Sequence, residues 1–273
     1  MKRYIVLSVN DDPEYLQYVP LTVWSWQLIG WEVILLYYGS VLSKSFNLIN
    51  EHATFNGHFL NKIDGYRGDT ITQISRLYGA STVKPNDMVM LGDIDMLALS
   101  DYWKPSPELM TIYGHDLTDF RNIPMCYVAM IADKWDHLID YTDTDITKLI
   151  KRDLDKLPQA KSEDFYTYWE SDQDLLTKRI KETAIPKQFI NRGKIHNGLA
   201  QGRVDRGEWS LFHNGNYIDC HQHRELYKIF KKTDRQEIVE KKWREHTAML
   251  QAVWPNENFK WYFHFLEKFA ALV

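Results

Sequence analysis

Asp93 and Asp95 stand two apart at the end of an apolar run, Met88-Val89-Met90-Leu91-Gly92. On extended chain, residues two apart point the same way, so both carboxylates should face one side. Two hard oxygen donors converging where a strand gives way to a loop suit Mg²⁺ or Mn²⁺ bound jointly with phosphates. A solvated turn carrying two acids is the plain alternative. The setting favours the cation, because an apolar strand delivers the pair to the carboxyl end of a sheet, where open α/β sheets bind ligands. A second acidic string is Glu170-Ser171-Asp172-Gln173-Asp174-Leu175-Leu176, in which Ser171 or Asp172 would cap a helix and the acids would suit its dipole. A third is Asp219-Cys220-His221-Gln222-His223. There His221 follows a short β-like run, Asn216 to Cys220, and could point at a metal, whereas His223 reads as a surface residue. No second His or Cys pair has the spacing of a zinc site.

The elements that must position these groups are readable in outline. Tyr4 to Val9 forms a short β-rich run, expected to be buried on both faces. Asp12-Pro13-Glu14 starts a helix that should run to about Leu28, kinked or broken early by Pro20 and ended by Gly30. Glu32 to Tyr38 is the second strand, and the spacing suggests a βαβ unit in a parallel sheet. Residues 40–68 carry many Asn, His and Gly and read as loop. A helix is expected over Thr70 to Tyr78, a strand over Met88 to Leu91, another over Met125 to Ile131, and a helix from Asp133. From 143 to 185 the chain is charged and helical, and from Arg224 on it reads as amphipathic helices.

Composition bounds the class. The chain has 273 residues, 44% apolar and 26% charged, as a globular enzyme or binding protein has. Its 33 basic and 37 acidic residues leave a net charge of −4, which argues against a general nucleic-acid binder. Two cysteines, Cys126 and Cys220, cannot build a disulfide framework and fit a reducing compartment. No run is apolar and long enough for a bilayer crossing, and no targeting segment is visible, so a soluble, cytoplasmic protein is expected. Gly-rich phosphate loops and the Gly-x-Ser-x-Gly elbow are absent. Among the tryptophans, Trp24 and Trp31 should share a core face with Leu28. Trp135, Trp169 and Trp209 are better placed to stack on a sugar, with packing the simpler role.

The first strand, Tyr4 to Asn10, and the motif strand, Val89-Met90-Leu91-Gly92-Asp93-Ile94-Asp95, together resemble nucleotide-sugar glycosyltransferases of the A-type (GT-A) fold with an Asp-x-Asp motif. The resemblance covers roughly residues 1–225. It implies an α/β fold: a Rossmann-like mixed central sheet flanked by helices. The catalytic domain would span 1–225, its nucleotide-binding half about 1–100 and its acceptor half about 101–225. Residues 226–273 would form a helical C-terminal extension. It also implies a divalent cation, Mn²⁺ or Mg²⁺, bridging the donor diphosphate and the motif acids and neutralising the leaving group. Asp95 would ligate it directly from a solvent-facing position, and Asp93 would meet the ribose, a metal-bound water or the metal. His221 would be a further metal ligand. Ser8, Val9 and Asn10 would hold the nucleobase and ribose, and Arg76 would meet donor oxygens, unless it is an exposed helix arginine.

The second acidic string resembles the segment these transferases place beside the acceptor. Asp172 is the first candidate for the acceptor-side acid and Asp174 the second. The string is also similar to that of retaining members, except that Thr177 stands where those carry Asn; inverting and retaining chemistry both stay open. His196-Asn197-Gly198 is a further loop candidate. The expected activity is metal-dependent transfer of a sugar, hexosyl or pentosyl, from a nucleotide-sugar donor, a UDP-sugar first, to a hydroxyl of a glycan or glycoprotein. Two alternatives stand beside it. One is a phosphatase of the haloacid dehalogenase type, although those carry Asp-x-Asp on their first strand. The other is a non-catalytic nucleotide-sugar or glycan-binding protein on the same fold.

Overall fold

The computed structural model describes residues 1–40, 42–113, 122–157, 160, 170–190, 202–204, 206 and 217–273. The chain opens with β1 (Arg3–Asn10), whose interior residues are all buried. Such a run has no solvent face, so it must lie inside a sheet covered on both sides. Asp12 caps the short α1 (Pro13–Leu16), its Oδ1 accepting from the Glu14 amide at 2.9 Å. The helix breaks before Pro20, which falls in the first turn of α2 (Val19–Leu28), where its missing N–H leaves no bond unmade. Gly30 follows at φ 81°, a left-handed turn that glycine adopts freely, and leads into β2 (Glu32–Tyr38).

Residues 40–68, expected as loop, contain a helix and a strand. Ser43 caps α3 (Lys44–His52) by accepting from the Phe46 amide, and β3 (Asn56–Phe59) pairs parallel with β2. The β3 run, Asn-Gly-His-Phe, has little strand character of its own; the open edge of β2 makes it a strand. The helix expected over Thr70–Tyr78 is α4 (Gly68–Ser75), which tightens into a 3-10 turn over Arg76–Thr82. Gly79 presses on β1 there: a Cβ on it would lie 2.5 Å from a Val6 methyl.

Next come β4 (Met88–Leu91), β5 (Met96–Ala98), β6 (Met110–Ile112) and β7 (Val128–Ile131). Helices α5 (Ala132–Ile139), α6 (Ile146–Leu154) and α7 (Ser171–Glu182) follow. The strands β8 (Lys187–Phe189), β9 (Gly202–Val204) and β10 (Tyr217–His221) lead to α8 (Gln236–Val253) and α9 (Lys260–Leu272). The strand expected from Met125 is shorter, because 125–127 form a turn before β7. The seven-stranded sheet runs β3-β2-β1-β4-β7-β6-β8 and is mixed; a small sheet, β5-β10-β9, stands apart from it. This is the mixed, helix-flanked sheet expected from the sequence, with helices at its C-terminal end.

Side chains of β1 alternate between two cores. Ile5, Leu7 and Val9 pack with α2 and with Met249, Leu250, Phe265 and Phe269 of the C-terminal helices. Tyr4 and Val6 pack on the other face with Ile71, Ile74, Leu149 and Leu176. Trp31 is buried as expected, but Leu28 is exposed and Trp24 is half-buried, edge-on to Trp254 at 4.9 Å. Trp135 is core, not a sugar platform: it is fully buried and its Nε1 donates to the Val89 carbonyl at 3.1 Å. Trp169, Trp209 and His196-Asn197-Gly198 lie outside the described residues. No helix among the described residues is long and apolar enough to cross a membrane.

Candidate active site

The chain leaves β1 toward β2 on one side and returns past it to β4 on the other. Strand order reverses at that point, so the carboxyl ends of β1 and β4 splay and open a crevice. A cavity of about 530 Å³ lies there. Its walls carry Ser8, Val9 and Asn10 from the end of β1, Arg76 from the turn after α4, Asp93 and Asp95 after β4, Asp172 from α7, and His221 from β10. Thus the sequence candidates gather in one place, Asp174 excepted. Asp174 lies two residues on from Asp172, about 200° around the helix, and the cavity takes Gln173 instead.

One wall is closed. Gly92 carries the chain out of β4 with its amide still bonded to the Val6 carbonyl at 2.9 Å, and Asp93 follows at once. Arg76, 7% exposed, is no surface arginine. Its Nη1 donates to the Gly92 carbonyl at 3.1 Å and to Asp93, its Nη2 to Asp172 Oδ2 at 2.8 Å, and its Nε to the Gln73 carbonyl at 3.2 Å. One guanidinium therefore serves two carboxylates, and they do not share it equally. Burial pushes the Asp172 carboxyl up to about 6, against the pull of Arg76 and with the help of the Asp93 charge. Burial also opposes the charge on Asp93, but Arg76 beside it holds that carboxyl below the usual range. The pair is an ionised Asp93 and an Asp172 poised to change protonation near neutral pH.

Asp172 is not the helix cap: Glu170 occupies that position, and Asp172 Oδ1 accepts only from the next amide, Gln173, at 2.7 Å. Ser171 is buried inside the first turn. Thr177 is a packing residue whose hydroxyl accepts from the Ile123 amide at 2.7 Å, anchoring the segment that leads to the cavity residues Pro124, Met125 and Cys126.

The other wall is more open. Asp95 is buried rather than solvent-facing, because Arg206 lies on it, donating from Nη2 to Oδ2. Arg206 also donates from Nε to the Gln222 carbonyl at 2.9 Å, and its side chain is 27% exposed. His221 Nε2 stands 3.8 Å from the same Asp95 Oδ2. Backbone pairing fixes this wall: His221 sits opposite Met96 in the β10–β5 ladder, and the Gln222 amide donates to the Asp95 carbonyl at 2.8 Å. His223, expected at the surface, is buried, its Nε2 3.1 Å from Glu245 on α8.

A carboxylate oxygen and an imidazole nitrogen side by side on a cavity wall are a donor set that suits Mn²⁺, with the remaining positions left to phosphate or water. Among the described residues no group of three His, Cys, Asp or Glu could hold a metal alone. Asp95 and His221 are the two whose donor atoms lie side by side, and Asp93, paired with Arg76, lines the same cavity. The sequence reading passed over Tyr15, Asp69, Thr72, Gln73, Arg206 and Arg224, which also line the cavity. Arg224 lay three residues beyond His221 and could have been found; Arg206 stood in an unpatterned stretch and offered no signal.

No protein-family model and no curated protein matches the chain. Solved structures similar to it include a galactosyltransferase, LgtC, in complex with donor and acceptor sugar analogues. That alignment covers 90% of this chain and 95% of LgtC, at 10% identity and a TM-score of 0.46. The glycosyltransferase GlyE of Streptococcus pneumoniae aligns over 99% of this chain and 64% of its own, at 10% identity and 0.46. A glycosyltransferase involved in glycosylation of the PBCV-1 major capsid aligns over 89% and 99%, at 11% identity and 0.41.

Proposed function

We propose that this chain is a glycosyltransferase that takes a sugar from a nucleotide-sugar donor, a UDP-sugar first, and passes it to a hydroxyl of a glycan or glycoprotein. The observation that carries this reading is the composition of a single cavity. A strand end fit for a nucleoside, three cationic side chains (Arg76, Arg206 and Arg224), a carboxylate–imidazole pair and a buried acid of raised pKa all line it. A nucleoside diphosphate attached to a sugar needs those groups in that company, and an orthophosphate alone does not need a cavity of about 530 Å³.

In this reading Asp95 and His221 would hold Mn²⁺ or Mg²⁺, which supplies Lewis-acid neutralisation of the diphosphate leaving group. Ser8 to Asn10 bind the nucleoside. Arg76, which also lines the cavity, orients Asp93 toward the donor and Asp172 toward the acceptor. Asp172 handles the acceptor hydroxyl proton, which its position near neutral pH suits. The test is release of UDP from UDP-sugars in the presence of Mn²⁺, for the parent and for Asp172→Asn. The variant should bind donor like the parent and lose at least about a hundredfold in turnover. Full turnover by Asp172→Asn would remove Asp172 from the chemistry.

A further inference from the structure

Arg206 and Arg76 both neutralise an acid of the Asp-x-Asp, but only Arg206 is built to let go. Arg76 is held by two carbonyls and two carboxylates and is nearly closed off. Among the described residues Arg206 has one carboxylate partner, Asp95, and one carbonyl, Gln222, and more than a quarter of its side chain is exposed. The Gln222 bond is made by Nε, at the root of the guanidinium. The guanidinium is a rigid plane, so its fork leaves the carboxylate by rotation of the side-chain torsions, exchanging the single Gln222 bond as it swings into the cavity space that Arg206 already lines.

The atom it occupies is the decisive one. Asp95 Oδ2 accepts from Arg206 Nη2, and the same Oδ2 is the oxygen 3.8 Å from His221 Nε2. A cation seated between that oxygen and that nitrogen meets a guanidinium already on the oxygen. Two positive groups on one carboxylate oxygen repel each other, and the side chain that carries the oxygen is nearly buried. The arginine must leave for the cation to enter, and a diphosphate in the cavity gives its fork a new, bidentate acceptor.

We infer that Arg206 is a movable counter-ion: it neutralises Asp95 in the nucleotide-free chain and turns to the donor diphosphate when a divalent cation takes the carboxylate. This rests on the reading of the cavity as a metal-assisted nucleotide-sugar site. Its consequence is that cation and nucleotide bind as a coupled pair, each making way for the other, and the coupling is reciprocal. The cation alone binds weakly, because it competes with Arg206. The nucleotide draws Arg206 away and uncovers the ligand.

The test measures Mn²⁺ binding directly, from the electron paramagnetic resonance signal of free Mn²⁺, with and without UDP. It uses the full chain, Arg206→Gln and Arg206→Lys, with thermal unfolding to verify each fold. Arg206→Gln should bind Mn²⁺ about tenfold more tightly than the parent without nucleotide, and UDP should tighten Mn²⁺ about fivefold less in it than in the parent. Arg206→Lys keeps a charge but cannot hold Gln222 and Asp95 together, so it should fall between the two. Mn²⁺ affinity within twofold of the parent in both variants, with the parent binding Mn²⁺ in the presence of UDP, overturns the inference and leaves the functional reading standing. A parent chain that takes up no Mn²⁺, with or without UDP, overturns the metal reading and the inference with it.

Discussion

Asp93 and Asp95 are two residues apart, yet they belong to walls of different construction. Asp93 stands in a closed wall, where Arg76 ties it to Asp172 under α4 and α7, and the side chains of Arg76 and Asp172 are almost wholly buried. Asp95 stands in an open wall, where Arg206 and His221 approach from β10 and the segment before it, each about a quarter exposed. Both walls pair an acid with an arginine. Burial decides what the pair does. Asp93 itself is 29% exposed, but the Arg76–Asp172 pair beside it is out of reach of water and cannot lose a partner without leaving a charge stranded, so that pair belongs to the fold. In the other wall the acid is buried but its arginine is 27% exposed and can turn to solvent, so this wall is available to a ligand.

The difference can be tested from the closed wall outward. Arg76→Met strands Asp93 and Asp172, and should cost about 3–5 kcal/mol in urea unfolding, or prevent folding. A loss below about 1 kcal/mol would mean that the closed wall holds nothing together.

The next effect depends on pH. Asp172 sits at about 6 in the folded chain, against about 3.9 for an unfolded aspartate. The folded state holds the proton more tightly, so the group's contribution is fully present below about pH 4 and is lost as pH rises through about 6. Asp172→Asn removes that loss. Its stability relative to the parent should therefore improve by about 2–3 kcal/mol between pH 4 and pH 7. Parallel stability curves for the two proteins would place Asp172 in a far more polar setting than its burial implies.

Asp95→Ala should have the smallest effect on stability, about 1 kcal/mol, since Arg206 can turn to solvent. It should nevertheless abolish cation-dependent nucleotide binding. A stability loss as large as that of Arg76→Met would erase the distinction between the walls.

The parts of the fold legible in the sequence were those whose residues carry their own reason. Val6, Leu7, Met90 and Leu91 lie in apolar runs that admit only a strand buried on both faces, and Gly92-Asp93 marks where such a strand must end. Asp12 and Pro13 announce a helix start by local bonds alone. Residues 44–59 were not legible, because α3 buries only a narrow stripe, Phe46, Leu48 and Ile49 with Ser45, and β3 takes its order from β2. The Ser43 cap was the signal available there. The site divided in the same way. The acids were visible by spacing, whereas their arginine partners come from 17 and 111 residues away in the chain, brought in by packing that no local pattern encodes.

The most direct test of the site is calorimetry of UDP, GDP, dTDP and CMP, with Mn²⁺ and then with EDTA, on the parent and on Asp95→Ala. UDP should bind the parent in the presence of Mn²⁺, lose that binding in EDTA, and fail to bind Asp95→Ala under either condition. No binding of any nucleotide to the parent, with or without Mn²⁺, would contradict the assignment of this cavity to a nucleotide-sugar donor.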